Sequence, residues 1–523
     1  MASTTLAPNG MVASVDHLAS AAGLAMLHAG GSAADAAVAA SAVLAVTAPH
    51  LCGMGGDLFA LVHRPGDDRP AVLDASGRAG SGADPDRLRA EGHRAMPFKG
   101  DIRAATVPGC VDGWLALHER FGSLPIADVL APAIGYATDG FPCSPLLAFT
   151  LPQLDGVAGT AELGGGGHRS GAPVRRAGVA TALSSIADHG RDGFYGGSFG
   201  EGLVRLGDGE YSDEDLTRPL ADWVEALGTR VLGHDVWTVP PSSQGYLTLL
   251  GLRIAEGLDL PDDAADPAWA HLLVESARAA AFDRHDVLYE GADVMWLLTG
   301  AEVEWRRSLV VPGRRSDLLV PRRSGDTMFL CAVDRDRMGV SLIQSNASGF
   351  GCHVFEPSTG IGLHNRGIGF SLEPGHPAEY GPGRRPPHTL SPALVTGLDG
   401  SLRAVVGTMG GDTQPQILLQ VLTRLLRHGR SAGTSIGSPR WALVGPGPDA
   451  FSTWADPDAV VVRLEADAPD AWADGLRSRG HEVAVAPTLE GTFGHAHLID
   501  VAPTGVLAGA ADPRALIGAA LGH

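Results

Sequence analysis

The sequence predicts an α/β/β/α sandwich, four layers deep, to which both halves of the chain contribute. Three observations carry this reading. Short apolar runs bounded by turn residues recur in the first half and again in the second. Segments with apolar residues at helical spacing lie around them. No repeat, low-complexity block or linker separates one half from the other. At 523 residues the length alone allows two or three domains, and the apolar fraction of 44% supplies a large core.

Taken in order, residues 17–29 and 33–47 read as small-residue helices parted by the Gly30-Gly31 turn, with Ser32 or Asp35 suited to the N-terminal cap of the second. Residues 59–63 and 71–74 form a hairpin, and 110–121 suits a helix entered from Val107-Pro108-Gly109. The stretch 156–172 is a Gly-rich loop. Its four glycines at 164–167 lack a Gly-Lys-Ser/Thr sequel, so the pattern is not that of a phosphate cradle. A helix over 268–284 sets Trp269, Leu272, Leu273, Ser276 and Ala280 at helical spacing. The second half alternates runs at 329–333, 339–344, 393–397 and 402–407 with turns. A helix at 414–428 follows, then a last set of strands and one helix over 459–505.

The formal charge of −20 argues against nucleic acid or an anionic membrane as a partner. Lys99 is the sole lysine, which excludes nearly all lysine chemistry. The five cysteines (Cys52, Cys110, Cys143, Cys331 and Cys352) are odd in number and fit no zinc spacing, so free buried thiols are expected. The N-terminal segment MASTTLAPNG has neither a basic nor an apolar region of the kind a signal peptide needs. The run from Ala33 to Val46 is too short and too weakly apolar for a membrane span. The expected location is cytoplasmic.

The most informative stretch is Gly325-Asp326-Thr327. Upstream the text is basic and loop-like; downstream it turns abruptly into a hairpin, with Phe329 to Val333, a turn at Arg335-Asp336-Arg337, and Gly339 to Ile343. If the Asp326–Thr327 bond breaks, Thr327 opens a strand with a free α-amine. A threonine hydroxyl is a weak nucleophile near neutrality, but its own α-amine, with a pKa of roughly 7.7–8.0, is an adjacent base that activates it. A lone threonine at the start of a strand is ordinarily structural; its surroundings decide.

Those surroundings resemble a family. GDTMFLCAVDRD, GFGCHVFEPSTGIGLHN, RRPPHTLSP and GTMGGDTQPQ are similar to the small-subunit half of the γ-glutamyltransferases, which are N-terminal-nucleophile hydrolases. GGSAADAAVAASAVLAVTAPHLCGMGGDLFALVH, SGRA, VPGCVDGW, GFYGG, PPSSQG and ESARAAAFDR extend the likeness, in family order, over the first half. Within the family, SLIQSN, HNRGIGFSL and GTMGGDTQPQ look more like the cytoplasmic oxamate-amidohydrolase and acylase-like branch than the glutathione-degrading branch. The resemblance implies the same four-layer N-terminal-nucleophile hydrolase fold. It also implies self-cleavage into a large subunit, 1–326, and a small subunit, 327–523, that together form one sandwich domain and one heterodimer. It implies no cofactor and no metal; His50, His388 and His495 have no ligand spacing of their own.

The resemblance also assigns residues. Thr327 is the nucleophile. Ser345 stands where the family has a threonine whose hydroxyl contacts the nucleophile, with Gln344 and Asn346 beside it as amide dipoles. Gly410 and Gly411 are the oxyanion hole, for which glycines suit a close backbone approach. Arg78 grips a substrate carboxylate through two parallel hydrogen bonds. The departures concern specificity. Where glutathione-degrading relatives read an Asn-Gln-x-x-Asp stretch, this chain has Asn365-Arg366-Gly367-Ile368-Gly369: a cation replaces the amide and Gly369 replaces the acid. The family's Ser-Ser pair becomes His388-Thr389, and the lid segment between Phe370 and Arg384 is short. A substrate ammonium would lose its counter-ion there.

The reading that follows is a self-processing threonine amidohydrolase acting on a small acidic acyl group. Two alternatives keep the machinery: a biosynthetic carbon–carbon bond hydrolase releasing an oxalyl group, of the kind used toward 4-alkylproline units in antibiotic biosynthesis, and a γ-glutamyltransferase or glutathione hydrolase. A non-catalytic binding protein is disfavoured by the retained Thr327, Ser345 and Gly410-Gly411.

Overall fold

The computed structural model describes residues 2–164, 167, 169–318, 328–445, 453–455, 459–487 and 490–523. In chain order the principal strands are β1 (Thr5–Ala7), β2 (Met11–Ser14), β3 (Asp57–His63), β4 (Ala71–Ala75), β5 (Asp222–Val224), β6 (Leu227–Val231) and β7 (His234–Thr238). They continue with β8 (Met328–Val333), β9 (Gly339–Ser345), β10 (Ala393–Thr396), β11 (Leu402–Thr408), β12 (Ala496–Val501), β13 (Leu507–Ala511) and β14 (Ala519–Gly522). They form two seven-stranded sheets, ordered β14-β2-β8-β9-β3-β4-β5 and β1-β13-β12-β11-β10-β7-β6. Neighbours within both sheets run antiparallel.

The period-two alternation of the strands sorts their side chains into layers. In β8, Phe329, Cys331 and Val333 join Phe59, Leu61, Ile343, Leu394, Val405 and Ile499 in a core between the sheets. Leu330 and Ala332 point the other way, into a core shared with α1 (His17–His28), α2 (Ala33–Thr47) and α3 (Cys110–Phe121). The second sheet is covered on its outer face by α4 (Tyr246–Glu256), α5 (Pro267–Ala281) and α6 (Gln414–Leu422). The predicted four layers are therefore present, in the order helix, sheet, sheet, helix.

All fifteen residues of α2 are buried, which a helix tolerates only if it is apolar or small-sided all round. Its alanines let neighbours approach closely: a Cβ on Gly23 of α1 would stand 2.8 Å from the Ala36 carbonyl. Ser32 caps the helix, and Asp35 returns a bond to the Ser32 N–H, a reciprocal capping box. The helix expected at 414–428 instead gives way after Leu422 to a π-helical turn at Thr423–Arg427. The Gly-rich stretch carries a short helical turn at Ala161–Gly164. The five cysteines are buried and unbridged, as expected. Among the described residues no helix is long and apolar enough to cross a membrane.

The antiparallel registers gather chemistry at one edge of the sandwich. In the first sheet Ser345 lies opposite Asp57, and Met328 lies opposite Gln344. In the second, Thr408 lies opposite Ala496 and Ala393 opposite Thr238. Thr327 itself is outside the described residues; Met328, which follows it in the chain, opens the described part of β8.

Phe329 makes a close contact between the sheets, because Gly407 of β11 lies directly against its ring and a Cβ there would sit 2.3 Å from it. Phe329→Ala is expected to cost about 3–5 kcal/mol through lost burial and a cavity that the facing glycine cannot fill. A thermal melt of the purified variant checks this; an unchanged melting temperature would refute the role given to this ring.

Candidate active site

The site is organised around Asp57, which opens β3 directly after Gly55-Gly56 and is fully buried. Its Oδ1 accepts the Gly77 N–H at 2.8 Å, and its Oδ2 lies 3.0 Å from His388 Nε2. His364 Nδ1 is 3.7 Å away. That atom accepts the Arg366 N–H at 3.0 Å, which leaves His364 Nε2–H to face the Thr106 carbonyl at 3.1 Å. Burial alone would raise the Asp57 carboxyl, but His364, His388 and Arg366 outweigh it and hold the group below the usual carboxylate range. Burial, reinforced by the Arg366 guanidinium, pushes His388 down to about 3 despite its bond to Asp57. At neutral pH His388 is thus a neutral ring that donates from Nε2. Its Nδ1 lone pair is buried and has no partner among the described residues.

Arg366 begins a short 3-10 turn, Arg366–Gly369, and is buried. Its Nη1 donates to Thr389 Oγ1 at 3.1 Å. The substituted pair, Arg366 and His388-Thr389, is therefore one cluster. Gly369 is glycine for a steric reason: a Cβ there would meet the Pro387 carbonyl oxygen at 2.4 Å. An acid at this position has no room while Pro387 keeps its path.

Ser345 Oγ accepts the Ala347 N–H at 2.8 Å and is buried beside Asp57. Asn346 donates from Nδ2 to the Pro49 carbonyl at 3.0 Å, while its Oδ1 is buried and has no partner among the described residues. Gln344 turns to the helix side, as the alternation of β9 requires. It accepts from Ser41 Oγ at 2.6 Å and donates to the Ser41 carbonyl at 3.0 Å, so its amide serves the packing of α2 and not the site.

Gly410 and Gly411, just past β11, are buried and have φ of 134° and 59°, conformations that glycine adopts without strain. The Gly410 carbonyl accepts the Thr413 N–H, and the Gly411 carbonyl accepts Gln244 Nε2 at 3.0 Å. Among the described residues neither glycine N–H has an acceptor. Two adjacent donors so placed suit a developing oxyanion.

Arg78 lies on the far side of Gly77. Its Nη1 donates to Glu290 Oε1 at 2.6 Å and to the Gly383 carbonyl at 3.0 Å, and its Nη2 reaches Asp222 Oδ2 at 3.5 Å. The Arg385 N–H donates to Glu290 Oε2 at 3.0 Å. The arginine expected to hold a substrate carboxylate thus already holds an internal one. Asp57, His364, Gln244, Arg284 and Glu290 were not singled out by sequence reasoning. All but His364 and Glu290 lie in motifs it quoted for the first half, MGGD, PPSSQG and FDR. His50 and His495 are buried near the site, and among the described residues neither belongs to a group able to hold a metal.

Burial, the leading cause in each case, pushes His50, His388, His481 and His497 down to about 3 and His495 to about 4. Unfolded, each titrates near 6.5 and takes up a proton that the native state refuses. Stability is therefore expected to be flat between about pH 7.5 and 8 and to fall as pH drops from about 6.5 to 4, on the order of 1 kcal/mol per pH unit for each ring. The depressed carboxyls Asp57 and Asp512 contribute loss only below about pH 4. Melting temperature against pH tests this; a flat profile down to pH 5 would contradict it.

The chain matches the family model described as Gamma-glutamyltranspeptidase over residues 19–521. It is 36% identical to the oxamate amidohydrolase proenzyme of Klebsiella pneumoniae, covering all of both chains. It is 35% identical to the glutathione hydrolase-like YwrD proenzyme of Bacillus subtilis, over 98% of each chain. Among solved structures it is similar to the cephalosporin acylase from Bacillus halodurans, with a TM-score of 0.90 and 32% identity over 100% of this chain and 97% of that one.

Proposed function

Because the chain belongs to the gamma-glutamyltranspeptidase family of N-terminal-nucleophile hydrolases, we propose that it is a self-processing threonine amidohydrolase whose acyl group is small, acidic and without an α-amine. One observation carries the specificity. A buried guanidinium, Arg366, sits with Thr389 where an acid would be needed to read an ammonium, and Gly369 cannot be replaced by that acid without striking Pro387. The proenzyme names of the relatives support the processing step.

In this reading the Asp326–Thr327 bond is cut and Thr327 becomes N-terminal. Its Oγ attacks the amide carbonyl while its α-amine takes the hydroxyl proton. The carbonyl oxygen becomes an oxyanion facing the Gly410 and Gly411 N–H groups. The C–N bond breaks, the amine leaves with the proton, and an ester to Thr327 remains. Water, deprotonated by the same α-amine, then releases the acid. Ser345 positions the nucleophile, Arg366 binds the acyl carboxylate, and His388 Nδ1 with Asn346 Oδ1 accept from neutral or hydrated groups of the substrate. Arg78 is the second carboxylate anchor, exchanging Glu290 for the substrate.

Wild-type protein is expected to resolve on a denaturing gel into residues 1–326 and 327–523, with Thr327→Ala remaining in one piece. A fully active single band would refute the processing step. For specificity, glutaryl and γ-glutamyl amides of one leaving group differ only in the α-amine. The glutaryl compound is expected to be preferred about ten- to hundred-fold in kcat/KM, the worth of one charge-assisted hydrogen bond of roughly 1.5–3 kcal/mol that the ammonium cannot make here. A tenfold preference for the γ-glutamyl compound would overturn this assignment of the pocket.

A further inference from the structure

Glu290 lies at the corner of a tight turn, in which the Ala292 N–H donates to the Tyr289 carbonyl at 3.2 Å and Gly291 takes a φ of 74°. The turn is closed through its own backbone, and the Glu290 side chain, 35% exposed, reaches from it to Arg78. Its two oxygens are held by different groups. Arg78 Nη1 donates to Oε1 at 2.6 Å, and the Arg385 N–H donates to Oε2 at 3.0 Å. This carboxylate is not gripped by one guanidinium fork, the geometry expected of Arg78 from the sequence. It is shared between a side chain and the backbone of the 383–385 segment. The Gly383 carbonyl, which accepts from the same Nη1 at 3.0 Å, and Asp222 Oδ2, 3.5 Å from Nη2, hold the guanidinium in place.

We propose that Arg78 Nη1 and the Arg385 N–H together form one carboxylate site, that Glu290 is its resident occupant, and that Glu290 sets the specificity of the enzyme for acyl groups carrying two carboxylates. The inference rests on the amidohydrolase reading above, in which Arg366 holds one acyl carboxylate and Arg78 anchors a second. It adds the backbone donor that completes the second anchor and the residue that governs entry to it.

The surroundings suit an exchange of carboxylates. The Arg78 side chain is only 14% exposed, and a shielded cation without a counter-ion is costly, so one acid must replace another as it leaves. Such a swap keeps the charge of the cluster unchanged. It needs no backbone movement, because the hydrogen bond that closes the turn does not involve the Glu290 side chain. The site is also continuous with the acyl pocket. The Ala79 N–H donates to the Arg384 carbonyl and the Gly383 N–H to the Ala79 carbonyl, both at 2.9 Å, which ties Arg78 to the chain that runs on to His388-Thr389. On its other side, the Gly77 N–H bonds Asp57. A neutral substituent brings nothing to exchange and leaves the Arg78–Glu290 pair closed. An acid tethered to the protein competes at a high local concentration, so the swap runs near balance. The second carboxylate then gains orientation and little affinity, and the product acid departs as Glu290 returns.

The test is calorimetric binding of two acids to the purified protein. Propane-1,2,3-tricarboxylate is glutarate carrying one further carboxylate, and neither requires turnover to bind. Wild type is expected to bind the two within about threefold of each other. Glu290→Gln is expected to tighten the tricarboxylate at least about tenfold and to move glutarate less than about threefold, since a neutral amide holds a guanidinium less strongly than a carboxylate does. Adding Arg78→Gln should remove that gain. Glu290→Ala trims a part-exposed turn residue and should act in the same direction, so the test stands even if the glutamine variant fails to fold. A tricarboxylate affinity that rises in neither Glu290 variant, or a gain that survives Arg78→Gln, would overturn the assignment. If glutarate binds and glutaryl amides are hydrolysed but no such gain appears, the role of Glu290 falls and the amidohydrolase reading stands. If the gain appears but glutaryl amides are not hydrolysed, the carboxylate site stands and the proposed reaction falls.

Discussion

Asp57 sits where four segments of the chain meet, and its carboxylate must be satisfied by groups from several of them. A buried charge left without partners is costly by several kcal/mol, whereas one that is hydrogen-bonded and faces a cation is tolerated. Here the Gly77 N–H and His388 Nε2–H are the hydrogen bonds, and Arg366 is the nearby positive charge. Those contacts dictate where the 76–78, 364–366 and 387–389 segments lie. Ser345 is held beside Asp57 by the β3–β9 ladder, so the same residue fixes the serine as well. The tautomer of His388 follows from this arrangement and not from the ring's own preferences.

Specificity in this site is set by backbone as much as by charge. The missing acid at 369 is commonly thought of as a lost interaction, but the Pro387 carbonyl would lie 2.4 Å from any Cβ placed there. The path through Pro386-Pro387 and the loss of the acid are one change seen from two sides. Beside this cluster Arg78 is offset by Glu290 and Asp222, and Arg385 by Asp222.

Much of the architecture was legible in the sequence because its strongest elements are locally consistent. The helices at 17–29, 33–47 and 110–121 and the hairpins around 59–74 and 329–344 agree with the structure to within a residue or two. The strands that escaped notice are β1, β2, β5, β6, β7, β13 and β14, of which the last two carry the least β signal. LAGAA at Leu507–Ala511 and AALG at Ala519–Gly522 hold few β-branched residues and become strands by pairing with β12 and β2. Of the site, Ser345, Asn346, Gly410, Gly411, Arg366, His388 and Thr389 were readable from motifs. The partners that orient them were not, because Asp57, Gln244 and Arg284 act across 331, 167 and 128 positions of chain (His388 to Asp57, Gln244 to Gly411, Arg284 to Asp412), and no local pattern encodes such contacts.

The strand order carries a consequence for a chain cut ahead of β8. In the first sheet β2, from residues before the cut, lies between β14 and β8, both from after it; β9, from after the cut, lies between β8 and β3. The second sheet is interleaved likewise, with β1 beside β13 at one end and β7 beside β10 toward the other. No plane separates the two pieces without breaking ladders in both sheets and opening all three cores. Such pieces would have to break those ladders in order to part, so their dissociation would be coupled to unfolding. The hydrolysed bond would make unfolding release two chains in place of one, so the stability of the cut molecule would come to depend on its concentration.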